Sequence, residues 1–419
     1  MSGDDRAVGA PTGPAAALRL IRHRNFGPYF VGNATSASGT WFQNLAAALY
    51  VYERTHSPFL LGVLQFGNFV PVLLLAPWGG SAADRFDRKR LLLVTQVGST
   101  MLSGVLAALT WAGFASVPLV IGCAVGLGIS SAFSAPASQA LIGDLVPRDE
   151  LQSAVALNSM TFNLARAVGP TLGGISVDQL GFAPSFAINA ASYLVLALGL
   201  TVVQPRAREL AGRGAARLRE SLRLVRQQPR LLGFLLIVTA VGFGSDPVNT
   251  EAPAFASAFA LHPPRLWTGI IVGAFGAGAV AAAFLVAGRV AGSRRRMTLT
   301  LSLLGAGIVA FALSPSISLG LAFLTVAGFG YLASNTAATS RLQLDVVEHH
   351  RGRIMALWSV AFLGLRPAAS LLDGALAGAF GVRTAGVVLA LPAFACAAGI
   401  LAGPRLARRV GDASRSAGA

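Results

Sequence analysis

Three carboxylates, Asp246, Glu251 and Asp373, and two guanidinium groups, Arg166 and Arg366, stand inside segments that are otherwise apolar. Acids in such surroundings suit proton binding and release, because burial disfavours the charged form. Arginines there suit attraction of an anionic group, or release of a carboxylate from its proton by pairing with it. The five histidines, His23, His56, His262, His349 and His350, lie at the ends of apolar segments or beyond them, so the carboxylates carry the proton-coupling expectation. Asp246 comes first because it is deepest in its segment, followed by Glu251 and Asp373. The competing reading is a permanent structural pair of Asp246 or Asp373 with Arg166 or Arg366. There is no nucleophile and base constellation, and Gly273–Gly278 (GAFGAG) lacks the Lys-Ser/Thr of a phosphate loop. Cys123 and Cys396 sit in apolar segments with no metal-ligand spacing around them. No enzyme activity, cofactor or metal is therefore expected.

The elements that must position these charges are membrane spans. Of 419 residues 54% are hydrophobic and 12% charged, where a soluble domain carries about a quarter. A transmembrane helix needs roughly 20 mainly apolar residues. Charge-free stretches at 25–52, 57–83, 91–143, 179–204, 266–288, 297–340 and 384–404 give nine spans once the two long ones are divided at residues 113–118 and 314–318. Segments 151–177, 231–258 and 354–380, with isolated charges, bring the expectation to twelve. A net charge of +16 would suit a nucleic-acid surface only on a soluble fold. Here the basic residues concentrate in alternate loops, leaving Arg54, Arg265 and Arg383 on the other side and Arg166, Arg341 and Arg366 at membrane depth. By the positive-inside asymmetry both termini are expected in the cytoplasm. Residues 1–24 carry no evident cleavable leader, so the first span is expected to direct insertion.

The hydrophilic stretch 204–230 divides the chain into two sets of six spans. Leu119–Ser138 and Leu321–Ser340 align without gaps at an offset of 202, with five matches in 20 positions, including Gly126/Gly328 and Gly128/Gly330. Parallel six-span repeats place a substrate site at their interface near the bilayer midplane. The expected organisation is a tail at 1–24, one bundle at 25–203, a linker at 204–230, a second bundle at 231–403 and a tail at 404–419. Within the linker, Leu218, Leu222 and Val225 fall on one side of Arg213–Gln228 among arginines. That pattern reads as an interfacial helix against anionic lipid, or as a solvated basic linker.

Polar residues at helical spacing mark the faces that line a wet cavity or bond helix to helix. Span one carries Asn33, Ser36, Thr40 and Asn44. Span two adds Gln65 and Asn68, span five Asn163 beside Arg166, and span ten Asn335 with Thr339. Span eleven places Ser359, Phe362, Arg366, Ser370 and Asp373 on one face of a continuous helix.

The loop after span two reads Gly80-Ser-Ala-Ala-Asp84-Arg85-Phe-Asp87-Arg88-Lys89-Arg90. This G-x-x-x-D-R-x-x-R-K pattern resembles the signature loop of the major facilitator superfamily. The resemblance implies a cytoplasmic gate made by Gly80, Asp84, Arg85 and Arg88, with Asp144 at the end of span four as the acid that pairs with the basic residues. Asp87 stands where that family usually has glycine, which alters the turn. The second-half loop, 288–296, keeps the arginines and lacks the acid, leaving Asp345 as the partner for Arg294, Arg295 and Arg296. In span five, Gly169, Pro170, Gly173 and Gly174 resemble the G-P-x-x-G-G motif of exporters and antiporters in the superfamily. With Arg351-Gly-Arg353 ahead of span eleven, the chain is similar to the enterobactin-exporter branch of bacterial effluxers over residues 20–403. The span-four arginine common in such proteins corresponds here to Gly122.

The resemblance implies an all-helical membrane protein of two six-helix bundles in the bacterial cytoplasmic membrane, with spans three, six, nine and twelve at the periphery. The expected function is export of a small amphipathic molecule, such as a drug, siderophore or secondary metabolite, in exchange for protons. The expected partners are that substrate, protons and membrane lipids, with the protein acting as a monomer and without nucleic acid. An importer, uniporter or lysophospholipid flippase is the alternative on the same fold. A non-transporting sensor or assembly protein is the reading from another class.

Overall fold

A computed structural model describes residues 14–147, 149–206, 228–285, 290, 293–346, 354–355 and 357–416. A short helix α1 (Pro14–Ile21) precedes six long ones: α2 (Phe26–Thr55), α3 (Pro58–Arg85), α4 (Arg88–Trp111), α5 (Val117–Leu145), α6 (Leu151–Leu180) and α7 (Phe182–Val202). The second set is α8 (Pro229–Ala258), α9 (Pro264–Leu285), α10 (Arg294–Ala312), α11 (Ile317–Leu344), a wide π turn (Val360–Gly364) running into α12 (Arg366–Phe380), and α13 (Val382–Ser416). Local chemistry starts these helices where the sequence breaks. Proline opens α3, α8 and α9, and the side chains of Ser57, Asp87 and Ser293 cap α3, α4 and α10 by accepting backbone N–H bonds. Helix α13 runs past residue 403, where the second bundle was expected to end. The linker helix expected over Arg213–Gln228 lies, but for Gln228, outside the described residues.

Ten of these helices are long and apolar enough to cross a membrane. The two that fall short in hydropathy are α2 and α6, each of 30 residues. At 1.5 Å per residue they are about 45 Å long, ample for a bilayer. Their apolar stretches are diluted by the polar residues they turn toward other helices.

Packing repeats between the sets. Helix α2 packs on α6 and α7, α5 on α3 and α4, and α4 on α7; in the same way α8 packs on α12 and α13, α11 on α9 and α10, and α10 on α13. The sets meet chiefly through α6 against α9 and α3 against α12, which the same two-fold repeat interchanges. Helices α4, α7, α10 and α13 make no substantial contact with the other set. Their outer faces carry exposed Val94, Met101, Leu198, Leu299 and Leu391, the surface a multi-pass membrane protein offers to lipid. Residues 86–87, 146–147 and 203–206 lie together at one end of the molecule, the basic end, opposite the far end.

Candidate functional site

Arg166 on α6 and Arg366 at the start of α12 face the seam between the sets. Arg366 is 6% exposed. Its guanidinium lies over Phe69 of α3 at 4.8 Å and over Phe362 at 5.8 Å, makes no hydrogen bond or ion pair with any described residue, and leaves Nε buried without a partner. Arg166 is held between Trp41 (5.3 Å) and Tyr331 (4.5 Å), donates from Nη1 to the Tyr331 hydroxyl, and leaves Nη2 buried and unpartnered. One turn along α11 from Tyr331, the Oδ1 of Asn335 is likewise buried without a partner. Among the described residues neither arginine forms an ion pair with an acid, so the permanent structural pair with Asp246 or Asp373 is not the arrangement found. Cation–π contact offsets only part of the cost of an unpaired charge at this depth.

The three acids come together behind this seam. Asp246 accepts hydrogen bonds from Thr250 (3.0 Å) and Ser370 (3.3 Å). Glu251 and Asp373 are fully buried, and both oxygens of each carboxyl lack a hydrogen-bond donor. Helical geometry turns Glu251 about 140° away from Asp246. Yet α8 is enclosed on nearly all sides here, so facing away from Asp246 does not bring Glu251 to lipid, and it lies within the fields of both Asp373 and Asp246. Span eleven departs from the expected single face. The π turn at Val360–Gly364 inserts an extra residue into the helical phase, leaving Ser359 exposed while Arg366, Ser370 and Asp373 stay buried together.

Contacts between the sets run from mid-height to the far end. A Cβ on Gly174 would lie 3.0 Å from the Gly269 Cα and 2.8 Å from the Arg265 carbonyl. A Cβ on Gly374 would lie 3.0 Å from the Gly62 Cα, and one on Gly62 would lie 2.5 Å from the Ser370 carbonyl. These two glycine crossings, α6 on α9 and α12 on α3, allow backbones to touch. At the far end Arg265 makes a two-pronged bond to Glu53 (2.7 and 2.9 Å), donates to the Val177 carbonyl and lies over Phe182. Toward the basic end, Leu74, Trp78, Met160 and Leu164 are exposed, and no bond joins the two sets there among the described residues. Among the described residues, the bonds and backbone contacts between the sets thus lie at mid-height and at the far end.

A family model described as transmembrane secretion effector matches residues 15–417. The chain belongs to this family of the major facilitator superfamily. Among its relatives, the multidrug efflux pump Tap of Mycobacterium tuberculosis is 23% identical over 89% of this chain and 92% of that pump. The staphyloferrin A transporter of Staphylococcus aureus is 31% identical over 38% of this chain and only 41% of its own length. In fold, a bacterial homologue of the human lysosomal transporter Spinster superposes with a TM-score of 0.72 at 16% identity, covering 94% and 98% of the two chains. The chain thus belongs to a family of membrane transporters, not of enzymes.

The signature loop is built from Arg88, which donates to Asp144 at 2.8 Å and to the carbonyls of Ala140 and Ala83. Asp84 and Arg85 are exposed without a partner among the described residues, and a Cβ on Gly80 would meet open space. Asp87, the departure from the superfamily pattern, caps α4 by accepting from the Arg90 N–H at 2.8 Å. Asp345 bonds Arg341, one turn back on α11, at 3.5 Å. Gly169 and Gly173 press on α2 at Trp41 and Phe42, while Pro170 and Gly174 meet α9.

The span-one stripe disperses among helix partners: Asn33 bonds Asn158, Ser36 bonds Gln96, Thr40 bonds Tyr193 and Asn44 accepts from Asn68. Ser36 and Thr40 therefore face the inside of the first set rather than the seam. Asn68 also donates to Gln65, whose amide reaches the Asn249 carbonyl across the seam. Asn163 donates to the Ser159 carbonyl and borders the same narrow cleft as Arg166 and Tyr331. The sequence reading missed Trp41, Tyr331, Glu53, Gly62 and Gly269. It also missed a repeat at offset 200 that aligns Arg166 with Arg366, Gly174 with Gly374, and Gly181 with Gly381. The last pair share φ 87°, a conformation that favours glycine in one-residue far-end turns.

Proposed function

We propose that this protein exports a small amphipathic molecule across the bacterial cytoplasmic membrane by alternating access, in exchange for protons. The basic end and both termini face the cytoplasm, as the positive-inside asymmetry supports, and the state described is the inward-facing one. The signature loop then forms the cytoplasmic gate in the opposite state, when exposed Asp84 and Arg85 meet the second set. The protein works as a monomer, with its basic end against lipid headgroups.

The observation that carries proton coupling is that the acids share residues with the far-end seal. Asp373 adjoins Gly374 at the α3 crossing, and Ser370, whose carbonyl touches Gly62, bonds Asp246. An ionised carboxyl buried without donors costs several kcal/mol. Protons on Glu251 and Asp373, with Asp246 as their neighbour, therefore favour the closed seal, and charged acids favour its opening to water. Proton binding from outside and substrate binding from inside then alternate.

The test is accumulation of a panel of fluorescent drugs and siderophores in an efflux-deficient bacterium, with and without a protonophore. Lower accumulation that is lost with the protonophore, and lost in Glu251→Gln and Asp373→Asn, is expected. Extrusion indifferent to the protonophore refutes proton exchange; raised accumulation refutes export.

A further inference from the structure

The two seam arginines have no role in closing the far end and form no ion pair with an acid among the described residues, yet both leave buried donors unbonded where a charge is costly. We propose that Arg166 and Arg366 are a two-armed clamp for a substrate that carries a carboxylate or other oxyanion beside an aromatic ring. The inference rests on the transport reading above and deepens it by naming the substrate class.

Three features support the clamp. Free donors remain on both arms: Nη2 of Arg166 and Nε of Arg366 are buried with nothing to bond, and a guanidinium matches an oxyanion with paired N–H donors. The surroundings are aromatic, with Trp41 and Tyr331 at one arm and Phe69 and Phe362 at the other, so a ring attached to the anion finds flat apolar faces. Each set contributes one arm at equivalent positions of the offset-200 repeat. An anion held by both would thus join the two sets, which is what a substrate that triggers closure must do. The nearby acid is Asp246, which accepts one bond at each oxygen, from Thr250 and Ser370, and forms no ion pair with either arm, although its field reaches Arg366.

The test is calorimetric binding to the purified full-length protein in nanodiscs, with probes that share one ring and differ in charge: 2-naphthoate, 2,6-naphthalenedicarboxylate, 2-naphthalenemethanol and 2-naphthylmethylammonium. The dicarboxylate is expected to bind most tightly, with each anion preferred over the alcohol by roughly tenfold or more. That preference should fall to near unity in Arg166→Gln and Arg366→Gln and survive in Gly122→Ala, whose added Cβ meets nothing within 4 Å. Equal binding of all four probes, absence of binding by any of them at millimolar concentration, or an anion preference that persists in the double arginine variant overturns the clamp. Should the Gln variants fail to fold, Arg166→Lys and Arg366→Lys keep the charge but remove the fork, and are expected to narrow the preference of the dicarboxylate over the monocarboxylate. Binding needs no proton gradient, so protonophore-insensitive transport with intact anion selectivity would sink proton coupling alone. Loss of selectivity with intact coupling would sink the clamp alone.

Discussion

The glycine crossings set how readily the far end opens, and a single methyl group at either one should shift that balance. In Gly174→Ala the new Cβ would stand 2.8 Å from the Arg265 carbonyl, 3.0 Å from the Gly269 Cα and 3.2 Å from its nitrogen, all of them backbone atoms. Carbon atoms rest at about 3.5–4.0 Å, so α6 and α9 must part by roughly 0.5–1 Å at the crossing. Overpacking of this kind costs about 1–3 kcal/mol, and the cost falls only on the state in which the far end is shut. At about 1.4 kcal/mol per tenfold, the open population should rise between about fivefold and about a hundredfold. Gly374→Ala, with its Cβ 3.0 Å from the Gly62 Cα and the Pro58 carbonyl, should do the same from the other crossing. The assay is electron–electron distance measurement between spin labels at Leu180→Cys and Leu313→Cys, exposed positions near the far end of either set, with Cys123 and Cys396 replaced. Gly122→Ala, which meets nothing within 4 Å, is the control. Unchanged distances in both crossing variants, with protein that remains monodisperse and helical, would show that these contacts do not form the seal.

Other expected outcomes address the remaining contacts. Arg265→Gln removes a partly exposed two-pronged bond, so the same distances should move toward the open state by only a few fold, and high salt should reproduce part of the shift in the parent. Asp87→Ala should lower stability by about 1 kcal/mol through loss of the α4 cap, read as a lower thermal midpoint in detergent, whereas Asp87→Asn should be nearly neutral. Asn189→Leu strands the buried Gln43 amide bonded to it at 2.7 Å, which should cost about 1–3 kcal/mol and reduce folded yield.

The sequence revealed the fold where a residue's own type imposed a constraint. Proline at 58, 229 and 264, the charge-free runs and the Asp84-Arg85 signature all constrain the chain locally, and the helices follow them. Arg88 and Asp144 were legible because their pairing links two motifs at known span ends. What stayed hidden depends on relations between distant helices. Trp41 and Tyr331 look like ordinary apolar filling until α6 brings Arg166 between them. The span-one stripe was left between cavity lining and helix-to-helix bonding, because helical spacing gives a common direction but does not say which neighbour stands there. Four different helices do, and they consume Asn33, Ser36, Thr40 and Asn44. Span eleven was read with an uninterrupted 3.6-residue period, and one π turn was enough to remove Ser359 from its face. The offset-200 repeat was open to inspection, but the glycine-rich fourth and tenth spans drew attention to an offset of 202.

The low hydropathy of α2 bears on how the chain enters the bilayer as it is made. Thr40 finds its hydroxyl partner in Tyr193, 153 residues downstream, and Gln43 finds Asn189 at a separation of 146. Until α7 leaves the ribosome, the first long helix carries polar side chains that lipid cannot satisfy. Such a helix is retained beside the insertion machinery until its later-born neighbours arrive, so the first set is assembled as a unit and not one helix at a time. A chain truncated just before α7 should accordingly be a substrate for membrane quality control, whereas one that ends after residue 203 should be spared.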